Sequence, residues 1–286
     1  MNDDHSNTDG DIRPLESDTS ARGPLLKVSN LTVRFDGQTV LSDINFEVPY
    51  GQTLAIIGES GCGKTVLLKT LIGLVRPSEG QVFFDGQELS QLDEKELTKQ
   101  RIRMGFVFQN AALFDSMTVG QNIAFPLREH TNSGLERIRE QVYNVLREVG
   151  LPIDVLRKKP AELSGGMRKR VGIARALILQ PELVFYDEPT TGLDPIVSDV
   201  INELMMQMRH RYEVTSVIVT HDMRTAKKVA DRVVMLYPYG RIKDEESQVL
   251  FDGPPSQLER TSDKRVAQFV RGEAGERLME LQEGRS

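Results

Sequence analysis

The sequence predicts an α/β fold, a largely parallel sheet covered on both faces and built around a phosphate-binding loop. Three observations carry this. The run Thr53-Leu54-Ala55-Ile56-Ile57 suits a buried strand, and Gly58-Glu59-Ser60-Gly61-Cys62-Gly63-Lys64-Thr65 follows it with G-x-x-x-x-G-K-[ST] spacing. Val66 to Leu71 then continues as a helix. Downstream, short apolar runs alternate with segments of helical period as far as Tyr237. Upstream lies a hairpin-like β layer.

That layer comes first in the chain. Leu26, Val28, Leu31, Val33 and Phe35 lie mostly two apart, as in a half-buried strand, and Asp36-Gly37 turns the chain. Val40, Leu41, Ile44, Phe46 and Val48 form a second strand region, ended by Pro49 and Gly51. Beyond the phosphate-loop helix, Arg76-Pro77-Ser78-Glu79-Gly80 breaks the chain, and Gln81 to Phe84 is a further strand with an Asp85-Gly86 turn. Ile102 to Phe108 reads as another strand, ending at Gln109.

The texture then becomes helical, and an inserted helical subdomain is expected over about residues 110–165. Ser133 and Glu136 have capping-box spacing. Leu135, Ile138, Val142, Val145, Leu146 and Val149 follow at helical period until Gly150 and Pro152 stop the helix. Ser164 begins another helix, with Val171, Ala174, Leu177 and Ile178 on one face and Pro181 at its end. Leu183 to Tyr186 is a buried strand running into Asp187-Glu188. The next helix carries Val197, Val200, Ile201, Leu204, Met205 and Met208, the methionines as core packing. Val214 to Thr220 is a strand ending at His221, and Val233 to Tyr237 is one more.

Composition bounds the function. A chain of 286 residues, 39% hydrophobic, can bury one large core or two modest ones. Its net charge of -6 argues against nucleic acid as a partner. The single cysteine rules out an intramolecular disulfide and suits a reducing compartment; Cys62 reads as a small filler within the loop. No run approaches 18 apolar residues, so no bilayer span is expected. Residues 1–24 are polar and acidic, lack the apolar segment of a signal peptide, and are expected to form a disordered tail. The folded domain is expected over 25–258, with a C-terminal extension over 259–286.

The chemistry starts at the glycine loop. Its backbone N–H groups can point at phosphate oxygens, and the following helix adds its positive dipole end. Lys64 would bridge the β- and γ-phosphates, and the Thr65 hydroxyl would ligate Mg²⁺. Leu183 to Glu188 delivers two carboxylates at a strand's C-terminal end, where α/β folds bind ligands. Asp187 would hold Mg²⁺ through water, and Glu188 could polarise the attacking water as general base. On their own, His221 and Gln109 are single polar residues at strand ends.

Leu163-Ser164-Gly165-Gly166-Met167 changes that reading, because the ordered set now resembles the ATP-binding cassette (ABC) ATPase subunits. The resemblance covers roughly Leu26 to Gly253. It implies the ABC ATPase (P-loop NTPase) fold, with a RecA-like core, an antiparallel β layer and the helical insert. It matches Phe35 to the aromatic that stacks on adenine, Gly58 to Thr65 to Walker A, Gln109 to the Q-loop and Leu163 to Met167 to the signature. Leu183 to Glu188 matches Walker B with its catalytic glutamate, Leu193-Asp194 the D-loop and His221 the switch histidine.

The implied catalytic set is therefore Glu188, His221, Gln109 and Lys64. ATP would meet Phe35, Gly58, Glu59, Ser60, Gly61, Cys62, Gly63, Lys64, Thr65 and Val66. From a second copy of the chain it would meet Ser164, Gly165, Gly166 and Asp194. Mg²⁺ would be held by Thr65, Gln109 and Asp187. In the family ATP closes two head-to-tail cassettes, and hydrolysis releases them.

Leu163 to Ala176, the run Phe108 to Val119, and Val266, Gln268, Phe269 and Gly272 are similar to the ATPase of bacterial Mla-type phospholipid transporters. That similarity implies integral-membrane permease subunits, a mammalian-cell-entry (MCE) domain substrate-binding protein and a small cytoplasmic regulatory subunit as partners. It places the chain on the cytoplasmic face of a Gram-negative inner membrane, maintaining outer-membrane lipid asymmetry. An importer of amino acids or ions is the alternative. Leu113, Phe114, Met117, Val119, Ile123 and Phe125 are expected to form a groove for a permease helix. The arm after Ser262, with Val266, Phe269 and Val270 on one side, is expected to dock on a neighbouring cassette or the regulatory subunit.

Overall fold

The computed structural model describes residues 23–243 and 246–273. The expected N-terminal tail up to residue 22, and residues 274–286 of the expected extension, lie outside the described residues.

Strands β1 (Leu26–Phe35) and β2 (Gln38–Val48) form the first hairpin. Phe35 opposes Gln38 across Asp36 and Gly37, whose φ values of 47° and 81° are the left-handed pair a two-residue turn requires. With β4 (Glu79–Phe84) and β5 (Gln87–Glu88) they make an antiparallel sheet in the order β2-β1-β4-β5.

The second sheet has the order β10-β9-β3-β8-β7-β6. Its members are β3 (Thr53–Gly58), β6 (Met104–Val107), β7 (Leu183–Asp187), β8 (Thr215–Val219), β9 (Arg232–Leu236) and β10 (Val249–Gly253). All neighbours run parallel except β10, which lies antiparallel at the edge. Helices α1 (Lys64–Leu71), α5 (Gly165–Leu177), α6 (Pro195–Tyr212), α7 (Met223–Val229) and α8 (Lys264–Arg271) pack on it. Helices α3 (Val119–His130) and α4 (Leu135–Glu148) form a cluster with α5, and α2 (Glu94–Ile102) precedes β6.

Alternation along the strands divides the core. Val184 and Tyr186 of β7 face the helices α3 to α6, whereas Leu183 and Phe185 face α1 and the antiparallel layer. On β3, Leu54 and Ile56 join the antiparallel layer, while Ala55 and Ile57 meet α7 and α8. Both faces are covered, as the apolar runs predict. Met205 and Met208 are buried in the helical core.

Several local expectations are corrected. The capping box is not at Ser133 and Glu136: α4 is capped at Gly134 without a side-chain bond, and the Ser133 N–H donates to Thr131 Oγ1. Leu135 therefore starts the helix on its solvent side, 75% exposed. A genuine capping box, Asp93 with Glu96, opens α2, a helix the sequence reading passes over. That helix claims Ile102, so β6 begins only at Met104. Helix α5 ends at Leu177, ahead of Pro181.

The described part of the C-terminal arm packs on its own chain. Val266 is fully buried against Ala55, Ile57, Val233 and Met235 of the same chain, with Phe269 and Val270 packed beside it. Among the described residues the arm's apolar side thus rests on its own sheet, with Phe269 and Val270 partly buried.

Candidate active site

Strand β3 ends in Gly58, and the chain loops around the ammonium of Lys64 before α1 begins. Lys64 Nζ donates to Gly58 O at 2.7 Å and Glu59 O at 2.9 Å. The loop needs glycine for two reasons. At Gly58 (φ 147°) a Cβ would lie 2.3 Å from Leu236 O, and at Gly63 (φ 96°) 2.7 Å from Leu41 Cδ2. Gly61 (φ 82°) instead faces open space, with Ser60 and Thr65 exposed around it. Cys62 is fully buried, its Sγ 3.9 Å from Lys64 Nζ, and burial raises its thiol pKa. Val66 packs partly buried against the antiparallel layer.

Two side chains that the sequence reading misses brace this loop. Gln248, 2% exposed, donates through Nε2 to Cys62 O at 3.2 Å, Val40 O at 3.0 Å and Tyr237 O at 3.1 Å. Its Oε1 accepts from Ser42 N–H at 2.9 Å. Arg241 pairs with Glu59 at 2.8 Å. Both partners lie more than 180 residues away along the chain, where no local pattern signals them.

β8 separates β3 from β7, so the ends of these strands share one edge. Asp187 closes β7, and burial, then the neighbouring Glu188, raise its carboxyl pKa. Glu188 follows in a left-handed conformation, φ 48°, with its N–H donating to Val219 O at 2.9 Å. That strained backbone turns its carboxylate toward the end of β8. His221 Nδ1 lies 2.8 Å from Glu188 Oε2, and Thr191 Oγ1 donates to the same oxygen at 3.0 Å. Glu188 is 12% exposed and His221 60%, so the carboxylate is shielded while the imidazole faces outward.

Gln109 is exposed just beyond β6, at the far edge of the sheet. Lys169 of α5, 5% exposed, joins it to the carboxylate strand, donating to Gln109 O and, at 3.0 Å, to Glu188 O. Burial, outweighing Glu188 and Asp187, pulls the ammonium down to about 8. No sequence pattern singles out Lys169, one of several basic residues after the signature.

The remaining residues lie elsewhere. Ser164 caps α5, accepting from Met167 N–H at 3.3 Å. A Cβ on Gly165 would approach Leu193 Cδ2 at 3.3 Å, and one on Gly166 would meet Val197 Cγ1 at 2.6 Å. The signature turn is therefore seated on the start of α6, which Asp194 caps by accepting from Ile196 and Val197 N–H. Phe35, 46% exposed, stands at the hairpin of the antiparallel layer. The structure thus brings Lys64, Asp187, Glu188 and His221 to one sheet edge, and sets Ser164, Gly165, Gly166 and Asp194 on the helical side.

Of the six apolar residues expected in a groove, Val119 and Ile123 are fully buried core. Phe114 and Phe125 pair, ring centroids 4.9 Å apart, and line a cleft of about 530 Å³ with Phe108, Pro126 and Arg175. Asn122, buried beneath, accepts from Phe114 N–H at 2.8 Å and donates to Phe114 O and Thr118 O, fixing this loop.

The residues suit Mg²⁺. Thr65 hydroxyl and Asp187 carboxylate are hard oxygen donors, and a half-buried carboxyl with a raised pKa is one a cation would stabilise. Among the described residues no cluster of three His, Cys, Asp or Glu could hold a metal, so phosphate and water would complete the shell.

Comparison with known proteins follows the same lines. The ABC transporter family profile matches residues 41–191. The chain is 38% identical over 250 residues to the intermembrane phospholipid transport system ATP-binding protein MlaF of Haemophilus influenzae, 87% of this chain and 91% of that protein. It is 40% identical, over 87% of this chain and 70% of that protein, to the probable ribonucleotide transport ATP-binding protein mkl of Mycobacterium leprae. It is 39% identical, over 77% and 66%, to the methionine import ATP-binding protein MetN of Carboxydothermus hydrogenoformans. Among solved structures, cbiO1 of Clostridium perfringens, part of a cbiONQ transporter complex, superimposes with TM-score 0.74 at 31% identity, covering 91% of this chain and 99% of that one. The dimeric post-hydrolysis cassette MJ0796, bound to ADP and Pi, gives 0.70 at 31%, covering 80% and 98%.

Proposed function

We propose, from the premise that the chain belongs to the ABC transporter family of ATPases, that two copies enclose ATP between them and that its hydrolysis drives phospholipid transport. The observation that carries hydrolysis is the shielded Glu188 carboxylate, held by Thr191 and His221 on the sheet edge that also carries the phosphate loop.

The residues divide the work. Backbone N–H groups from Gly58 through Val66, including those of Glu59, Ser60, Gly61, Cys62 and Gly63, take phosphate oxygens, and Phe35 stacks on adenine. Lys64 exchanges its two carbonyl partners for β- and γ-oxygens. Glu188 accepts the proton of the attacking water, and His221 steadies the carboxylate and faces the γ-phosphate. Thr65, Asp187 and Gln109 would hold Mg²⁺, which when bound screens the charge of the transferring phosphate. Ser164, Gly165 and Gly166 of a second copy, at the N-terminus of its α5, close the site with Asp194 beside them. MJ0796, which covers 80% of this chain, is itself dimeric with ADP and Pi, which supports the paired arrangement.

Phospholipid as cargo is supported by similarity along 91% of the MlaF protein. The reading includes permease subunits, an MCE-domain protein, a small regulatory subunit and peripheral attachment at the cytoplasmic face of a Gram-negative inner membrane. Among the described residues no helix is long and apolar enough to cross a membrane, so attachment would run through the Phe114 cleft. The 39% identity to a methionine import protein supports small-solute import as the alternative.

Affinity capture of the chain from detergent-solubilised native membranes tests this. Permease, MCE-domain protein and phospholipid should be recovered together. Phe114→Asp should cut recovery at least about tenfold, as expected for a truncated interface anchor, while its thermal midpoint stays near the native value. Capture of a permease with neither MCE protein nor lipid supports the importer instead.

A further inference from the structure

One face of α5 is a cradle for the segment after β6. Lys169 donates to Gln109 O. Three residues on, Gly172 leaves room for the Ala111 methyl, which would lie 3.2 Å from a Cβ there. Three further on, Arg175 donates to Ala111 O and Ala112 O, both at 2.8 Å. Ala111 and Ala112 are successive left-handed residues, φ 59° and 43°. Alanine does not hold that conformation unaided, so the donors from α5 hold the segment. The cradle continues outward, since Arg175 also lies over the Phe114 ring at 5.8 Å, in the cleft.

Lys169 does one thing more. Its second carbonyl partner is Glu188 O at 3.0 Å, and Glu188 is itself left-handed. One ammonium, 5% exposed, therefore sits between two strained backbones, one beginning at Gln109 and the other carrying the carboxylate. A buried ammonium without acceptors is costly, so its carbonyls are tightly specified. Among the contacts of Lys64 and of the phosphate loop described above, none involves Lys169.

We propose that Lys169 is a positioning residue for hydrolysis. Its ammonium clamps the backbone of Glu188 to the 109–112 segment, so that movement of α5 with that segment displaces the carboxylate. Occupancy of the Phe114 cleft thereby reaches the proton-accepting group through a single buried cation, with the phosphate loop left as it is. This rests on Glu188 as the general base, and the experiment separates the two ideas.

The full chain is assayed as Lys169→Met, Lys169→Arg and Glu188→Gln for steady-state ATPase and for amide hydrogen exchange. Lys169→Met should lower kcat at least about tenfold with the KM for ATP within about twofold, the split expected when an alignment rather than a binding contact is lost. Lys169→Arg, which restores charge and donors, should recover a substantial part of kcat. Exchange in Lys169→Met should quicken together at 109–112 and 188–191, with α1 unchanged. An unchanged kcat, a KM that rises in step, or quickening at 109–112 alone overturns the proposal. If Lys169→Met is too unstable to assay, the decision falls to Lys169→Arg: native exchange at both segments supports the clamp, and uncoupled exchange refutes it. Normal turnover by Glu188→Gln would remove the base assignment while leaving the paired exchange response to stand or fall by itself.

Discussion

Glu188→Gln should bind ATP with near-native affinity and hydrolyse it at least about a hundredfold more slowly, a barrier increase of roughly 3 kcal/mol. The site explains both halves. Glutamine has almost the same volume, and its Oε1 can still accept from Thr191 Oγ1, now 3.0 Å from the carboxylate. The left-handed backbone at this position, φ 48°, is set by the Glu188 N–H bond to Val219 O and by the Lys169 bond to Glu188 O, neither of which the substitution touches. What disappears is the proton acceptor. Single-turnover hydrolysis beside an equilibrium titration with a fluorescent ATP analogue checks the two parts separately. A rate near the native one would assign the base to another group.

Lys64→Ala should fail one step earlier. Loss of the ammonium should weaken ATP binding at least about thirtyfold, roughly 2 kcal/mol, as expected for charge-assisted bonds to phosphate. The fold should hold less firmly too. With Lys64 gone, Gly58 O and Glu59 O lose the ammonium at 2.7 and 2.9 Å, while the braces from Gln248, the Arg241 pair with Glu59 and the Cys62 N–H bond to Glu59 O remain. Calorimetric titration with ATP, paired with a thermal melt, reads both effects. Native affinity in a folded Lys64→Ala chain would mean that the loop's backbone N–H groups suffice by themselves.

What the sequence made legible was local. The buried strand, glycine loop and helix at 53–71 are contiguous, and Ser164 and Asp194 cap their helices with their own side chains, so pattern and structure coincide. The Asp93 and Ser133 positions show the limit of such patterns. Asp93 and Glu96 give no sequence signal because α2 is polar and buries only Leu97, so no apolar period follows them. Ser133 and Glu136 match the spacing and an apolar period follows, yet Gly134 takes the cap. Residues that act by reaching across the fold left no trace. Lys169 meets carbonyls 60 and 19 residues away, and Gln248 joins the phosphate loop from 186 residues beyond it. The positive φ of Ala111, Ala112 and Glu188 is equally silent, since none is a residue that prefers it. The groove was half legible: composition marks Val119, Ile123, Phe114 and Phe125 as apolar, but only the packing of α3 decides that the first two point inward.

The central claim is that the two halves of the site, Lys64 with Glu188 and Ser164 with Gly166, come from different copies of the chain. The most direct test is the structure of Glu188→Gln in solution or crystal with ATP and Mg²⁺, under conditions where light scattering reports a pair. Each nucleotide should lie on Lys64 of one copy with Ser164 Oγ of the other within hydrogen-bonding distance of its γ-phosphate. A closed, ATP-loaded pair with both Ser164 hydroxyls remote from any nucleotide would contradict the account.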